Sequence, residues 1–529
     1  MIAPVNGLYH PLSEQDIIDL IKYANKNNLQ VRVRGAAGSA KGSVYTDDFN
    51  PAGPNTGKNI NIQLDQMRSV DFDDAKMQVT VGAGCNLGFD PYDPSNTSSQ
   101  YGINNLFYQL NQKGWAIQNV TDAIHQTIGG FISTGSAAGS LKYSFDACVM
   151  SITLIDGTGT RQVFNRSANL SDPFYAVGVS MGLFGIITSV TLQCVKSFNI
   201  IGNQAITPVS ACAYDFFGPG TDAQTNLQGF LSANEFARTM WWPYKTLLRA
   251  VSWNANTMTP ADYNETTGTP DKFIPKPYVP LFPEWLGSRL PSEIASSLGF
   301  TMIANWPDWL QNILGHGAAE NSEKEKLFIG LFESIAPYLY PYLMDVFFKC
   351  DTPEKPAQKF WDNWLGSLPM DSFEFHNNMY AMEYTEFWFP VSQTEQVVNL
   401  LNTYYTANGY SATSFYTVEL FNAKQSPFWM SPGYQQDSFR VNMLFFTRGA
   451  KIKPDDYFKQ FWNLFVENKI NYRLHWGKNL PGTTNPLAGP SYLQSQYPMW
   501  TNFMNMRKTY DPNNIFLTSY WANHLGIKS

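Results

Sequence analysis

The chain has 529 residues, more than one hydrophobic core accommodates, so two domains or more are expected. A net charge of −7 excludes the basic face of a typical nucleic-acid binder, and a hydrophobic content of 44% excludes a disordered chain. Charged residues at 15% and aromatic residues at 15% point to large apolar cavities or interfaces. No run approaches 18 uncharged apolar residues, so no membrane span is expected. The N-terminal MIAPVNGLYH shows no signal-peptide pattern. A soluble protein is expected, cytoplasmic or secreted; Asn-x-Ser/Thr triplets at Asn96, Asn119, Asn165, Asn169 and Asn264 are compatible with secretion. The five cysteines lie far apart with no Cys-x-x-Cys, which argues for free thiols and against a zinc or other metal site.

In chain order, Ser13 can cap a helix with Asp16 three residues on, and Ile17, Ile18, Leu20, Ile21 and Ala24 form its apolar stripe. Residues 30–42, QVRVRGAAGSAKG, then run from an alternating strand into small residues. Such a run exposes successive backbone N–H groups, a nest suited to an anion such as a pyrophosphate. It matches neither a Walker loop nor Gly-x-Gly-x-x-Gly, and a plain turn is the alternative. Strands are expected over 59–67 and 76–81, the second ending in Gly82-Ala83-Gly84. A helix over 106–113 leads to a strand over 115–119.

The densest small-residue run is 122–140, DAIHQTIGGFISTGSAAGS. It is either a crowded turn or a surface on which an extended cofactor lies against the main chain. A buried strand follows over 147–155, ended by a hairpin turn at Asp156-Gly157-Thr158-Gly159, and 182–194 is a turn into a β-branched strand. Beyond Lys196 the composition shifts toward aromatics. Residues 236–256 read as two strands, 257–272 as a polar surface loop, and 291–298, 306–314 and 322–333 as short helices. Residues 379–390, 415–421 and 438–447 read as strands. Residues 392–405 read as a helix opened by a Ser392/Glu395 capping box, and 457–467 as another helix.

The order of a helix, a VRVRG loop, a VGAG strand end, a TIGGxxSTG run and an LFGIITSVTL strand resembles the PCMH-type FAD-binding domain of the vanillyl-alcohol-oxidase flavoprotein superfamily. The resemblance covers roughly residues 8–196. It implies an α+β fold: a two-subdomain FAD-binding domain plus a substrate (cap) domain with a large antiparallel sheet flanked by helices. The division it implies is 1–197 for FAD, 198–495 for substrate with a long insert near 257–370, and 496–529 returning toward the FAD domain. VELFNAKQSPFWMSPGYQQDS, RLHWGK and FMNMRKTYDPNNIF resemble the C-terminal part of the sugar-alcohol and aldonolactone oxidases. WWPY…VSWNAN and the insert look more like type II cholesterol oxidases.

By that resemblance, Arg34, Gly35, Ala36, Ala37, Gly38 and Ser39 cradle the FAD pyrophosphate. Thr127, Gly129, Gly130, Ser133, Thr134 and Ala137 line the flavin and its ribityl chain, with Ile187 near the adenine end. Glu419 falls where these oxidases place a carboxylate facing the substrate hydroxyl, and Lys478 where they place a cation near substrate and flavin. His475 is an orienting group or proton relay, with a merely packed histidine as the equal alternative, and Glu383 is a weaker candidate. Two departures matter. The usual Glu-x-Arg has Phe421 at the arginine position, which turns the expectation from a polyol toward a bulky, apolar alcohol. The positions that carry flavin-linking histidines in relatives are Gly38 and Ala137, so FAD is expected to be non-covalent. His125, four residues before Gly129, falls where a related branch carries its flavin-linking cysteine; contact with the flavin ring, a covalent link to it and plain packing all stay open.

The expected function is an FAD-dependent oxidase that moves a hydride from a CH–OH group of a hydrophobic alcohol to flavin, with molecular oxygen as acceptor and hydrogen peroxide as product. Two alternatives stay open: a flavin enzyme of secondary metabolism oxidising an amine or C–H bond or closing a ring, and a non-redox binding protein.

Overall fold

The computed structural model describes residues 2–51, 53–88, 103–119, 121, 123–243, 248–266, 272–277, 357–366, 382–408, 418–446 and 453–528. The helices expected over 291–298, 306–314 and 322–333 lie outside the described residues.

The first helix, Glu14–Asn27, forms as the periodicity dictates. Ser13 Oγ accepts from the Asp16 N–H, the Asp16 carboxylate accepts from the Ser13 N–H, and Asn28 ends the helix in the left-handed region at φ +53°. Ile17, Leu20, Ile21 and Ala24 are fully buried, whereas Ile18 is only partly so. At roughly 1.5–3 kcal/mol for each large aliphatic side chain, this stripe holds the helix far more firmly than its cap does.

Strands β1 (Leu8–Tyr9), β2 (Val31–Arg34) and β3 (Ile60–Gln63) make a parallel sheet in the order β1-β3-β2. A five-stranded antiparallel sheet, β4-β5-β9-β7-β8, contains β4 (Val70–Asp73), β5 (Gln78–Gly82), β7 (Val149–Asp156), β8 (Arg161–Asn165) and β9 (Gly185–Gln193). β6 (Trp115–Ala116) pairs with β10 (Val195–Lys196), so only the start of the strand expected over 115–119 forms.

The second half is one antiparallel sheet of eight strands, β14-β11-β13-β12-β16-β17-β15-β18. They are β11 (Asn199–Pro208), β12 (Phe236–Trp242), β13 (Arg249–Thr257), β14 (Ala357–Asn363), β15 (Met382–Pro390), β16 (Val418–Ala423), β17 (Ser438–Phe446) and β18 (Arg473–Leu474). Helices Thr394–Asn408 and Pro454–Glu467 bury Val397, Val398, Leu401, Phe458, Phe461 and Phe465. This is an α+β fold.

Two local expectations are corrected. Residues 260–266 are helical rather than loop, because Thr259 and Asp262 cap the helix reciprocally and Pro260 pre-sets its first turn. The helix expected from Ser392 begins at Thr394, after a 3-10 turn Val391–Gln393 that contains Ser392. Cys85, Cys148, Cys194 and Cys212 are free thiols. Asn119 is only 2% exposed and its amide donates to the Tyr143 carbonyl, so that triplet is closed to glycosylation in the fold. No helix among the described residues is long and apolar enough to cross a membrane.

Candidate active site

The two halves face each other across a cavity of about 490 Å³. One wall is main chain and small side chains. Loop 35–39 leaves β2, and Ala37 sits at φ +58°, so the backbone curls in the left-handed region. A Cβ on Gly35 would fall 1.9 Å from Thr127 Oγ1, so that position admits no side chain while Thr127 stays in place. Thr127 is held there as the cap of the short helix Ile128–Thr134, its hydroxyl accepting from the Gly130 N–H. A Cβ on Gly129 would come within 3.0 Å of the Ala83 carbonyl oxygen. Chain packed this closely offers a long groove of backbone, a shape that fits an extended dinucleotide. Arg34 is partly committed elsewhere: Nε donates to the Gly35 carbonyl and Nη1 to the Tyr45 hydroxyl.

The opposite wall is one face of the eight-stranded sheet. Side chains two residues apart on a strand share a face, so the register writes out rows across it. Met240, Glu419, Asn442 and Glu386 form one row across β12, β16, β17 and β15. Arg238, Phe421, Arg440 and Trp388 form the next. Glu419, 9% exposed, accepts a 2.8 Å hydrogen bond from Asn442 Nδ2. Glu386 accepts from Arg440 Nε at 2.8 Å. Burial alone would raise the Glu386 carboxyl, but Arg440 beside it, with His475 and Lys478 nearby, holds it down to about 2. The Arg440 guanidinium lies 5.0 Å from the Phe421 ring centroid and 4.8 Å from that of Trp388.

The turn 475–478 closes the rim. Its Trp476 is fully buried and donates to the Met430 carbonyl, pinning the turn to the sheet half. The Gly477 N–H donates to His475 Nδ1 at 3.0 Å, so that nitrogen carries no proton; Nε2 therefore carries it and donates to Ser136 Oγ at 3.0 Å. Burial pushes the ring down to about 4, Glu386 opposing and Lys478 and Arg440 adding to the effect, so His475 is neutral at pH 7. The Gly477 carbonyl accepts from the Ala40 N–H, which ties the turn to the small-residue loop. Lys478 Nζ lies 4.3 Å from the Tyr384 ring centroid, and Glu383 accepts from Asn479 Nδ2 at 2.7 Å.

The candidate residues converge. Arg34, Gly35, Ala36, Ala37, Gly38, Ser39, His125, Thr127, Gly129, Gly130, Ser133, Thr134, Ala137 and Ile187 line this cavity, and so do Glu383, Glu419, His475 and Lys478. His125 Nε2 is the nearest atom, at 3.6 Å, to a Cβ built on Gly38, so an imidazole stands beside the loop without belonging to it. The sequence reading missed Arg440, Asn442 and Glu386. Alternation along 438–447 marks Arg440, Asn442 and Leu444 as one face, but only the pairing of β17 with β16 sets that face beside Glu419. Phe421 alone implied the loss of a cation. Arg440, directly across from it, puts one back.

Residues 5–88 match the FAD binding domain family, and residues 331–524 match the D-arabinono-1,4-lactone oxidase family. The chain is 23% identical to L-gulonolactone oxidase of Bos taurus over 523 residues, covering 97% of this chain and 93% of the relative. It is 21% identical to D-arabinono-1,4-lactone oxidase of Eremothecium gossypii, covering 98% and 92%. Among solved structures it is similar to cholesterol oxidase from B. sterolicum, at a TM-score of 0.69 and 13% identity over 98% of this chain and 94% of that one. The chain thus carries an FAD-binding domain, is similar along its whole length to aldonolactone oxidases, and is an FAD-dependent oxidase acting on CH–OH donors.

Proposed function

We propose that this oxidase acts on an oxygen-rich alcohol of the aldonolactone or polyol class. The observation that carries the reading is the polar row Glu419–Asn442–Glu386 with Arg440 beside it, facing the small-residue wall across the cavity. FAD, when bound, supplies the two-electron acceptor and the route to oxygen. Loop 35–39 and the run 127–137 would hold it by main-chain contact, with Ile187 lining the same cavity. Glu419, oriented by the Asn442 amide, accepts the proton of the substrate hydroxyl as the hydride leaves its carbon. Lys478 would supply positive charge at the rim to a reduced, negatively charged cofactor. His475 is neutral and bonded through both ring nitrogens, which suits positioning rather than proton relay. Glu383 holds Asn479 next to Lys478. We assign the two walls to the segments on either side of residue 197; the return of the C-terminal segment is supported by the Val31 N–H donating to the Ile515 carbonyl and Trp521 Nε1 to the Ser43 carbonyl.

The second reading is the bulky apolar alcohol, favoured by Met240, Phe421 and Leu444, which also line the cavity. Anaerobic mixing of holoenzyme with D-arabinono-1,4-lactone, L-gulonolactone, xylitol and cholesterol separates the two. Bleaching of the flavin band by a lactone or the polyol, and not by the sterol, is the expected result. Bleaching by cholesterol alone supports the apolar reading and refutes the oxygen-rich one.

A further inference from the structure

We infer that Arg440 selects the substrate by donating from Nη2 to a second oxygen, one that neighbours the hydroxyl held at Glu419. The inference rests on the oxygen-rich reading above and says which residue enforces it. The Arg440 guanidinium is fixed on three sides. Nε donates to Glu386, and Nη1 donates to the carbonyls of Ala137 at 2.8 Å and Ala138 at 3.2 Å. Phe421 and Trp388 flank it. Nη2 takes no hydrogen bond among the described residues, yet it is not among the buried unpartnered atoms, and the residue lines the cavity. A charged donor held rigid and left open on a cavity wall is prepared for an acceptor that arrives with the substrate.

Register sets what it reaches. Arg440 and Asn442 are two residues apart on β17, about 7 Å along the strand, and Asn442 is the cross-strand partner of Glu419. The side chain of Arg440 is long enough to lean over that distance. Asn442 adds a buried Oδ1 without a partner on the same face. A substrate with one hydroxyl and no further oxygen leaves Nη2 dehydrated and unpaired. That is how a polar site rejects an analogue of the right shape. The Ala137 and Ala138 carbonyls belong to the small-residue run, so the same contact registers the substrate wall against the cofactor wall.

The test compares wild-type holoenzyme, the double variant R440L/E386Q and the single variant R440K. The double variant removes both members of the ion pair, so no lone charge is left buried. Substrates are D-arabinono-1,4-lactone, its monodeoxy analogues and cyclopentanol, and flavin content is checked for each protein. Wild type is expected to lose about 100-fold in kcat/KM for at least one monodeoxy analogue, mostly through KM, and R440L/E386Q to treat that analogue and the parent alike. Equal discrimination in flavin-loaded R440L/E386Q overturns the role of Arg440 and leaves the oxygen-rich reading standing. Equal rates with lactone and cyclopentanol in wild type, or no reduction by any lactone, overturn both. If R440L/E386Q does not retain flavin, R440K decides: it keeps the charge opposite Glu386 but not the fork, so a loss of about 10-fold in discrimination supports the assignment and unchanged discrimination refutes it.

Discussion

His475 shows how one residue's surroundings settle its chemistry. With Nδ1 taken by a backbone N–H and Nε2–H given to Ser136, the ring has no position left for a second proton, and burial pushes it down to about 4. The unfolded chain binds a proton near pH 6.5 that the fold refuses. Stability therefore falls as pH drops from about 6.5 toward 4, by about 3 kcal/mol in full. Glu386 acts in the same sense at lower pH: its contribution is present above about 4.5 and is lost as pH falls toward 2. His475→Asn keeps an acceptor for the Gly477 N–H but cannot become cationic. Its melting temperature is expected to vary less between pH 6.5 and 4.5 than that of wild type, at a cost of about 1 kcal/mol at pH 7 for the lost Ser136 bond. An unchanged pH profile would show that His475 is not the acid-sensitive group. The ring itself was legible in HWGK; its neutrality was not, because Ser136 lies 339 positions away in the chain.

At the scale of elements, the small-residue loop makes a finer prediction than small residues in general. Gly35 and Gly38 differ sharply: a Cβ meets Thr127 Oγ1 at 1.9 Å at the first, and only His125 Nε2 at 3.6 Å at the second. Gly35→Ala is expected to lose flavin on gel filtration, Gly38→Ala to retain it, and Gly38→Leu, which reaches the His125 ring, to lose it. Acid precipitation of wild type and Gly38→Ala should leave the flavin in the supernatant; a yellow pellet would mean a covalent bond. Retention by Gly35→Ala would remove the loop from the site. The loop and the capped helix before it were readable because their signals are local: a nest, a reciprocal cap and a stripe at helical spacing. The helix at 260–266 was misread because Pro260 and the polar residues after it suggested a loop, whereas proline belongs in the first turn of a helix. β11 went unseen as a strand although its burial alternates, because two of its inward positions are Gly202 and Gln204 and carry no apolar signal.

The molecule as a whole is two walls, and the contacts that hold them in register include Ala40 with Gly477, Ser136 with His475, and Arg440 with the Ala137 and Ala138 carbonyls. The family and its cofactor were legible in the order of motifs, because each motif is a short backbone device. The sheet wall was half legible: Glu419 and Lys478 sit in recognisable strings, whereas Arg440 comes beside Phe421 only when β16 and β17 pair, so the cation across from Phe421 was not readable from the sequence. The central claim is that a carboxylate on the sheet takes the hydroxyl proton from an oxygen-rich substrate held against FAD. Glu419→Gln keeps the shape and the cofactor wall and removes the base. The decisive measurement is anaerobic single-turnover reduction of the flavin by D-arabinono-1,4-lactone in wild type and Glu419→Gln at matched flavin content. The account predicts rapid bleaching in wild type and a rate lower by about 10²–10⁴-fold in the variant. Equal rates in the two proteins, or no bleaching in wild type, would contradict it.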